Sequence, residues 1–160
     1  MPETARYSID TSSLIAAWFE RYPIRHFGPF WQRMEHALDH GLIVVGREVY
    51  SEVKRKDDDL FAWLKNHNTS VVEIDNATQQ HARTIMTAYP SWSTSGKKSG
   101  ADPWVIALAM AHNPKLTVIT EEGRDGNVKR PKIPFVCEQP EIQLVCLNIV
   151  GLIREEDWIF

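Results

Sequence analysis

The sequence predicts an α/β fold, a three-layer α/β/α sandwich around a central parallel sheet of four to five short strands with Rossmann-like topology. Two observations carry that prediction. Short apolar runs rich in Ile and Val alternate with segments whose apolar residues recur at helical spacing. Strands that alternate with helices pair in parallel, with both faces of the sheet covered. The chain is also of single-domain size: it has 160 residues, 43% of them hydrophobic and 24% charged, where domains cluster at roughly 100–150 residues. One domain over 1–160, with its core at about 6–155, is expected.

Each element has its own signal. A short β-prone run over 6–9 ends at Asp10-Thr11-Ser12-Ser13, a cap-rich turn into a helix. Leu14, Ile15, Trp18 and Phe19 follow at helical spacing until Pro23 stops the pattern. A second helix is expected over 29–39: Pro29 suits its first turn, Phe30, Met34 and Leu38 form one face, and Gly41 closes it. The run 42–45 is a buried strand followed by Gly46. From Glu48 the pattern is helical again, with Asp57-Asp58-Asp59 dividing it in two. A third strand is expected over 70–74, and Asp75 or Asn76 caps a helix running to about Ala88. Residues 90–100 have loop composition. The next helix, over 101–112, is apolar nearly all round and must be covered on most sides. A fourth strand over 116–119 ends at Thr120-Glu121-Glu122, and a polar, basic loop follows to Lys132. The run 144–146 reads as a last short strand and 149–154 as a last short helix.

Composition excludes several classes of function. The 18 Lys and Arg against 21 Asp and Glu give a net charge of -3, so nucleic acid is not held here by bulk charge. The six tryptophans are scattered and read as packing residues, not as a base-stacking stripe. No apolar run approaches the ~18 residues of a membrane span, and residues 1–10 lack the core of a signal peptide. Cys137 and Cys146 cannot build a disulfide framework, so a reducing cytoplasm is the expected compartment. There is no Gly-x-Ser-x-Gly elbow and no glycine-rich phosphate loop. His36 and His40 sit four apart on a helix, but zinc lacks a third ligand of suitable spacing.

In open parallel sheets, ligands bind beyond the carboxyl ends of the strands. At that address the sequence places Asp10 after the first strand, Glu48 and Glu52 after the second, and Glu121 and Glu122 after the fourth. Asp102 opens the buried helix that leads into the fourth strand. Carboxylates gathered at one edge repel each other unless a cation lies between them, and hard oxygen donors of this kind suit Mg²⁺ or Mn²⁺. Such an ion activates water and neutralises a phosphodiester under attack. Taken singly, each acid has a plainer role. Asp10 before Thr11 and Ser12 fits a helix cap, and so does Asp102 before Pro103. Glu48 and Glu52 fit a solvated or dipole-favoured first turn, and Glu121 and Glu122 fit loop surface.

Three ordered phrases turn this pattern into a resemblance. Tyr7-Ser8-Ile9-Asp10-Thr11-Ser12-Ser13-Leu14 looks like the opening of PIN-domain proteins, where a strand delivers an Asp followed by a small hydroxyl residue. The run from Gly100 through Ala101-Asp102-Pro103 to Ala109 resembles their acidic helix start with an Ile-Ala run. Val118-Ile119-Thr120-Glu121-Glu122 resembles their strand ending in Thr, one residue, then an acid. The segment from Val49 through Glu52 and Val53 to Trp63 is similar to the acidic helix of a bacterial PIN-like subgroup formerly of unknown function. Together the phrases span Tyr7 to Phe160 in the family's order.

The resemblance implies a metal-dependent endoribonuclease, similar to VapC-type toxins of toxin–antitoxin pairs and held in check by an antitoxin protein. Carried over by position, Asp10, Glu52, Asp102 and Glu122 would be the catalytic and metal-binding acids around Mg²⁺ or Mn²⁺, with Glu48 and Glu121 as alternates. Glu122 departs from the family's usual Asp. Ser12 and Thr120 would be supporting hydroxyls. Lys97 and Lys98, ahead of Asp102, are expected to contact the RNA substrate; Lys54-Arg55-Lys56 and Lys129-Arg130 with Lys132 are the other basic clusters. Family members often form homodimers, and no membrane is implied. The alternative, sustained by Glu122 and the acidic net charge, is a non-catalytic PIN-like module that binds RNA or a protein partner.

Overall fold

The computed structural model of the protein describes residues 4–93 and 100–160. Five short strands, β1 (Tyr7–Ile9), β2 (Ile43–Gly46), β3 (Val71–Val72), β4 (Thr117–Ile119) and β5 (Cys146–Leu147), form one sheet in the order β3-β2-β1-β4-β5. Every pairing is parallel. Nine α-helices connect and cover the strands among the described residues: α1 (Thr11–Ala16), α2 (Gly28–Asp39), α3 (Arg47–Lys56), α4 (Asp58–Lys65), α5 (Asn76–Ala88), α6 (Pro90–Ser93), α7 (Asp102–Ala111), α8 (Ile133–Cys137) and α9 (Ile149–Glu155). The α/β sandwich read from the sequence is thus the architecture observed, with the upper expected number of strands.

The predicted punctuation accounts for most boundaries. Asp10, Asp57, Asp75 and Asn148 each accept the backbone N–H three residues on, at 2.8 Å, and open α1, α4, α5 and α9. Gly41, two residues past α2, takes φ 76°, the left-handed conformation that closes a helix. Helix α7 crosses β1, β2 and β4 and is backed by α5. That double cover is why Val105, Ile106, Ala107, Leu108 and Ala109 are all buried. Trp18, Trp31 and Trp63 pack edge-on or tilted, with Trp31 4.8 Å from Trp63 and its indole N–H donating to the Tyr22 carbonyl. No helix among the described residues is long and apolar enough to cross a membrane.

Three local expectations need correction. Strand β3 is two residues long, not five, because β2 ends at Gly46 and leaves Glu73 and Ile74 without a ladder partner. Strand β5 is Cys146–Leu147 instead of 144–146, since pairing with Val118 and Ile119 sets the register and leaves Val145 exposed. Helix α8 lies in a stretch without a sequence-based assignment and buries Ile133, Val136 and Cys137. The expected loop 90–100 begins as the short helix α6, where Trp92 is buried. Lys97 and Lys98 lie outside the described residues.

One further element carries consequences. Helix α1 runs directly into a π-helical turn, Ala17–Arg21, closed by the Tyr22 N–H on the Ala17 carbonyl at 2.9 Å. π-turns occur mostly as single turns, frequently at functional sites.

Candidate metal centre and substrate cleft

Register builds the site. Ile9 lies opposite Ile119, and Ile119 opposite Leu147, so the residues that follow, Asp10 and Thr120, stand side by side at the carboxyl edge of the sheet. The Asp10 N–H donates to the Ile119 carbonyl at 3.0 Å, extending the ladder one step. The Asp10 side chain is buried and orientated by several donors: Ser13 N–H at 2.8 Å, Ser12 Oγ at 2.9 and 2.7 Å to its two oxygens, and Thr120 Oγ1 at 2.6 Å. Asp10 is therefore both a helix cap and a member of the acidic edge; the two readings of the sequence coexist.

Asp102 enters from α7. The N-cap of that helix is Ala101, without a side-chain cap, so Asp102 is not the cap that its position before Pro103 suggests. It stands at the first helical position instead, and its carboxylate meets those of Asp10 and Glu122, with one oxygen of each within 4.8 Å of the others. Among the described residues, no Lys, Arg or His forms an ion pair with these three acids. The electrostatic consequence is large. Burial, then the neighbouring Glu122 and Asp10 carboxylates, raise the Asp102 pKa to about 8. Burial raises that of Asp10 to about 6, even against its hydroxyl and N–H donors.

The other glutamates do different work. Glu52 is buried, and its Oε2 accepts the Ala101 N–H at 2.8 Å while Oε1 faces Lys56 Nζ at 3.3 Å. It borders the same cleft as Asp102 but is not brought into the three-acid group. Glu121 accepts the Ile149 N–H at 2.9 Å and pairs with Arg21 at 3.4 Å. Glu122 accepts the Ile133 N–H at 2.7 Å with Oε2. Thus Asp10, Glu52, Glu122 and Glu121 hold the starts of α1, α7, α8 and α9. Glu48 lines a separate apolar crevice with Val72, Ile74, Trp104 and Leu108. Thr120 Oγ1 also accepts the Glu122 N–H at 3.1 Å, and Ser12 Oγ the Glu121 N–H at 3.2 Å. The two hydroxyls therefore tie the strand ends together.

An open cleft of about 720 Å³ lies over this edge, bordered by Glu52, Asp102 and Glu122 and by three cations, Arg21, Arg55 and Lys56. The basic run 54–56 divides: Lys54 turns its ammonium over the Phe61 ring at 5.8 Å, away from the cleft. Arg21 escaped the sequence reading because an amphipathic helix continued at regular spacing does not foretell a π-turn.

The donor set fits a hard divalent cation. Among the described residues, three carboxylates face one another without a compensating side-chain charge; burial raises the pKa values of Asp10 and Asp102, and at Asp102 the neighbouring carboxylates add to it. His36 and His40 lie with tilted rings 4.0 Å apart and no third ligand among the described residues, and Cys137 and Cys146 are free thiols.

A search of curated proteins gave no match. Among solved structures, the chain is similar to one described as the crystal structure of VapBC2 from Rickettsia felis bound to a DNA fragment from their promoter. The TM-score is 0.51 at 14% identity, over 89% of this chain and 97% of the other. At that identity the likeness speaks for the fold, which is PIN-like. A family model described as a domain of unknown function matches residues 7–160, and the chain belongs to that family, DUF4411.

Proposed function

We propose that the protein is a Mg²⁺- or Mn²⁺-dependent endoribonuclease, with Asp10, Asp102 and Glu122 holding the ion. The observation that carries this reading is the convergence of three uncompensated carboxylates at the open carboxyl edge of a PIN-like sheet. An ion bound there would neutralise charge on an RNA phosphodiester and lower the pKa of the attacking water. The chain's own groups prepare the place. Ser12, Thr120 and the Ser13 N–H fix both oxygens of Asp10, and Glu52 fixes the start of α7 and with it Asp102. In this reading Glu52 is a positioning residue, and Glu48 takes no part. Hydrolysis would leave a 5′-phosphate and a 3′-hydroxyl.

The VapBC neighbour supports a biological setting as well, a cytoplasmic toxin restrained by a partner antitoxin. Expression alone should then slow growth, and Asp10→Asn should relieve it; equal toxicity of the two proteins overturns the toxin role. The central test is cleavage of end-labelled RNA with Mn²⁺ or Mg²⁺ beside Asp10→Asn prepared identically. Metal-dependent cutting that disappears in the variant is the expected result. Wild type that binds neither metal nor RNA would sink the nuclease reading.

A further inference from the structure

A polyanion should not enter a cleft lined by carboxylates unless cations meet its phosphates. Among the described residues, five carboxylates border this cleft (Glu20, Glu52, Asp102, Glu121 and Glu122) against three cations, Arg21, Arg55 and Lys56. Two of those cations are held on anchored acids at the rim. Arg21 is half exposed and lies 3.4 Å from Glu121, whose side chain is only 9% exposed. Lys56 is 57% exposed and lies 3.3 Å from Glu52, at 12%. The acids are fixed by backbone N–H groups of α9 and α7, so each cation has a rigid base and a solvent-facing head. Their placement follows the sheet order. Glu121 succeeds β4 and Glu52 lies in the helix after β2, and these strands flank β1, which delivers Asp10.

From this arrangement we infer that Arg21, Arg55 and Lys56 bind the backbone phosphates on either side of the phosphodiester presented to the acidic edge. The inference rests on the ribonuclease reading and deepens it by assigning the substrate contacts. Arg21 and Lys56 need only to turn from their glutamates to reach a phosphate, and Arg55 borders the cleft beside them, each a Coulombic contact that orients the strand and carries no sequence information. The π-helical turn is what delivers Arg21. It ends at that residue, and its wider winding sets Arg21 beside Glu121 at the cleft. Among the described residues the formal balance of the cleft is negative, and this gives the inference a second edge, because strand binding should then need a divalent ion as well as the three cations.

The test is fluorescence anisotropy of a short labelled single-stranded RNA in Ca²⁺, with the strand checked intact afterwards. It compares wild type with Arg21→Ala, Arg55→Ala, Lys56→Ala and, as a control outside the cleft, Lys65→Ala. Each cleft variant should weaken binding about tenfold and reduce the slope of log affinity against log salt by about 0.7, the value for one phosphate contact on a single strand. Arg21→Lys should keep the slope, Lys65→Ala should match wild type, and calorimetric Mn²⁺ affinity should be unchanged throughout. Wild type that binds and cuts RNA while the cleft variants bind it equally overturns the phosphate assignment alone. Variants that lose Mn²⁺ binding together with RNA also overturn it, since the cations would then be holding the metal site. Wild type that neither binds nor cuts the strand overturns the ribonuclease reading and takes the assignment with it.

Discussion

Two sets of carboxylates share one cleft and differ in what surrounds them. Glu52 and Glu121 each have one oxygen on a helix-starting N–H and the other facing a cation. Asp10, Asp102 and Glu122 face one another with no side-chain cation among the described residues. Each acid of the first set has its own cation; the second set has none among the described residues, and Glu52 still adds to the repulsion on Asp102. Nearness to the cleft and lack of a charge partner are therefore separate properties, and the second is what the proposed metal site rests on.

The largest effect that can break this contrast is one of opposite sign. Asp102→Asn should reduce Mn²⁺ affinity by more than about 100-fold, beyond what loss of an outer partner costs. It should also raise the melting temperature of the metal-free protein near neutral pH, because it removes a carboxyl that burial and its acidic neighbours oblige to take up a proton on folding. Glu52→Ala should do the reverse. It leaves the Ala101 N–H without its acceptor, a loss of about 1–3 kcal/mol for a buried donor, while Mn²⁺ affinity falls much less than in Asp102→Asn. Calorimetry and thermal melts on the two variants decide it. If Glu52→Ala loses metal as completely as Asp102→Asn, Glu52 is a ligand and the distinction between the sets is wrong.

The pH dependence sharpens the same contrast without a mutation. Asp10 and Asp102 have pKa values raised to about 6 and about 8, so the folded state holds their protons at pH values where the unfolded chain has released them. Stability of the metal-free protein should therefore fall as pH rises from about 4 to about 8, and level off above that. Saturating Mn²⁺ should flatten or invert this slope, because the ion displaces those protons and its affinity rises over the same window. A melting temperature independent of pH in the absence of metal would mean that burial and neighbouring carboxylates do not hold protons on Asp10 and Asp102.

The sequence carried the fold further than it carried the site. Alternating apolar runs and caps such as Asp75 and Asn148 are local signals, and they placed most elements within a residue or two. What failed was non-local. The length of β3 depends on where β2 ends, the burial of α8 depends on α7, and the π-turn has no periodic signature. At the site, Asp10, Asp102 and Glu122 were legible because strand ends and a buried helix start fix their positions along the chain. The division between Glu52 and Asp102 was not legible. It turns on the partner of each oxygen, here a backbone N–H 49 residues away in sequence.

The smallest expected effect concerns the hydroxyl that joins the two strand ends. Thr120 Oγ1 donates to Asp10 at 2.6 Å and accepts the Glu122 N–H at 3.1 Å, so one buried atom sets two of the three facing acids. Thr120→Val keeps the shape and β-branching of the side chain and removes only this link. Asp10 retains Ser12 and the Ser13 N–H, so its orientation should loosen without being lost. Mn²⁺ affinity should drop about tenfold, the lower range for removing an outer-shell partner, with the sheet intact by circular dichroism. Ser12→Ala should cost about as much, since Ser12 also bonds Asp10 and accepts the Glu121 N–H. Because both hydroxyls act on Asp10, the double variant should show a loss that differs from the sum of the two. An affinity unchanged in Thr120→Val would mean that Asp10 is held well enough by α1 alone, and that Thr120 serves the strand end and not the ion.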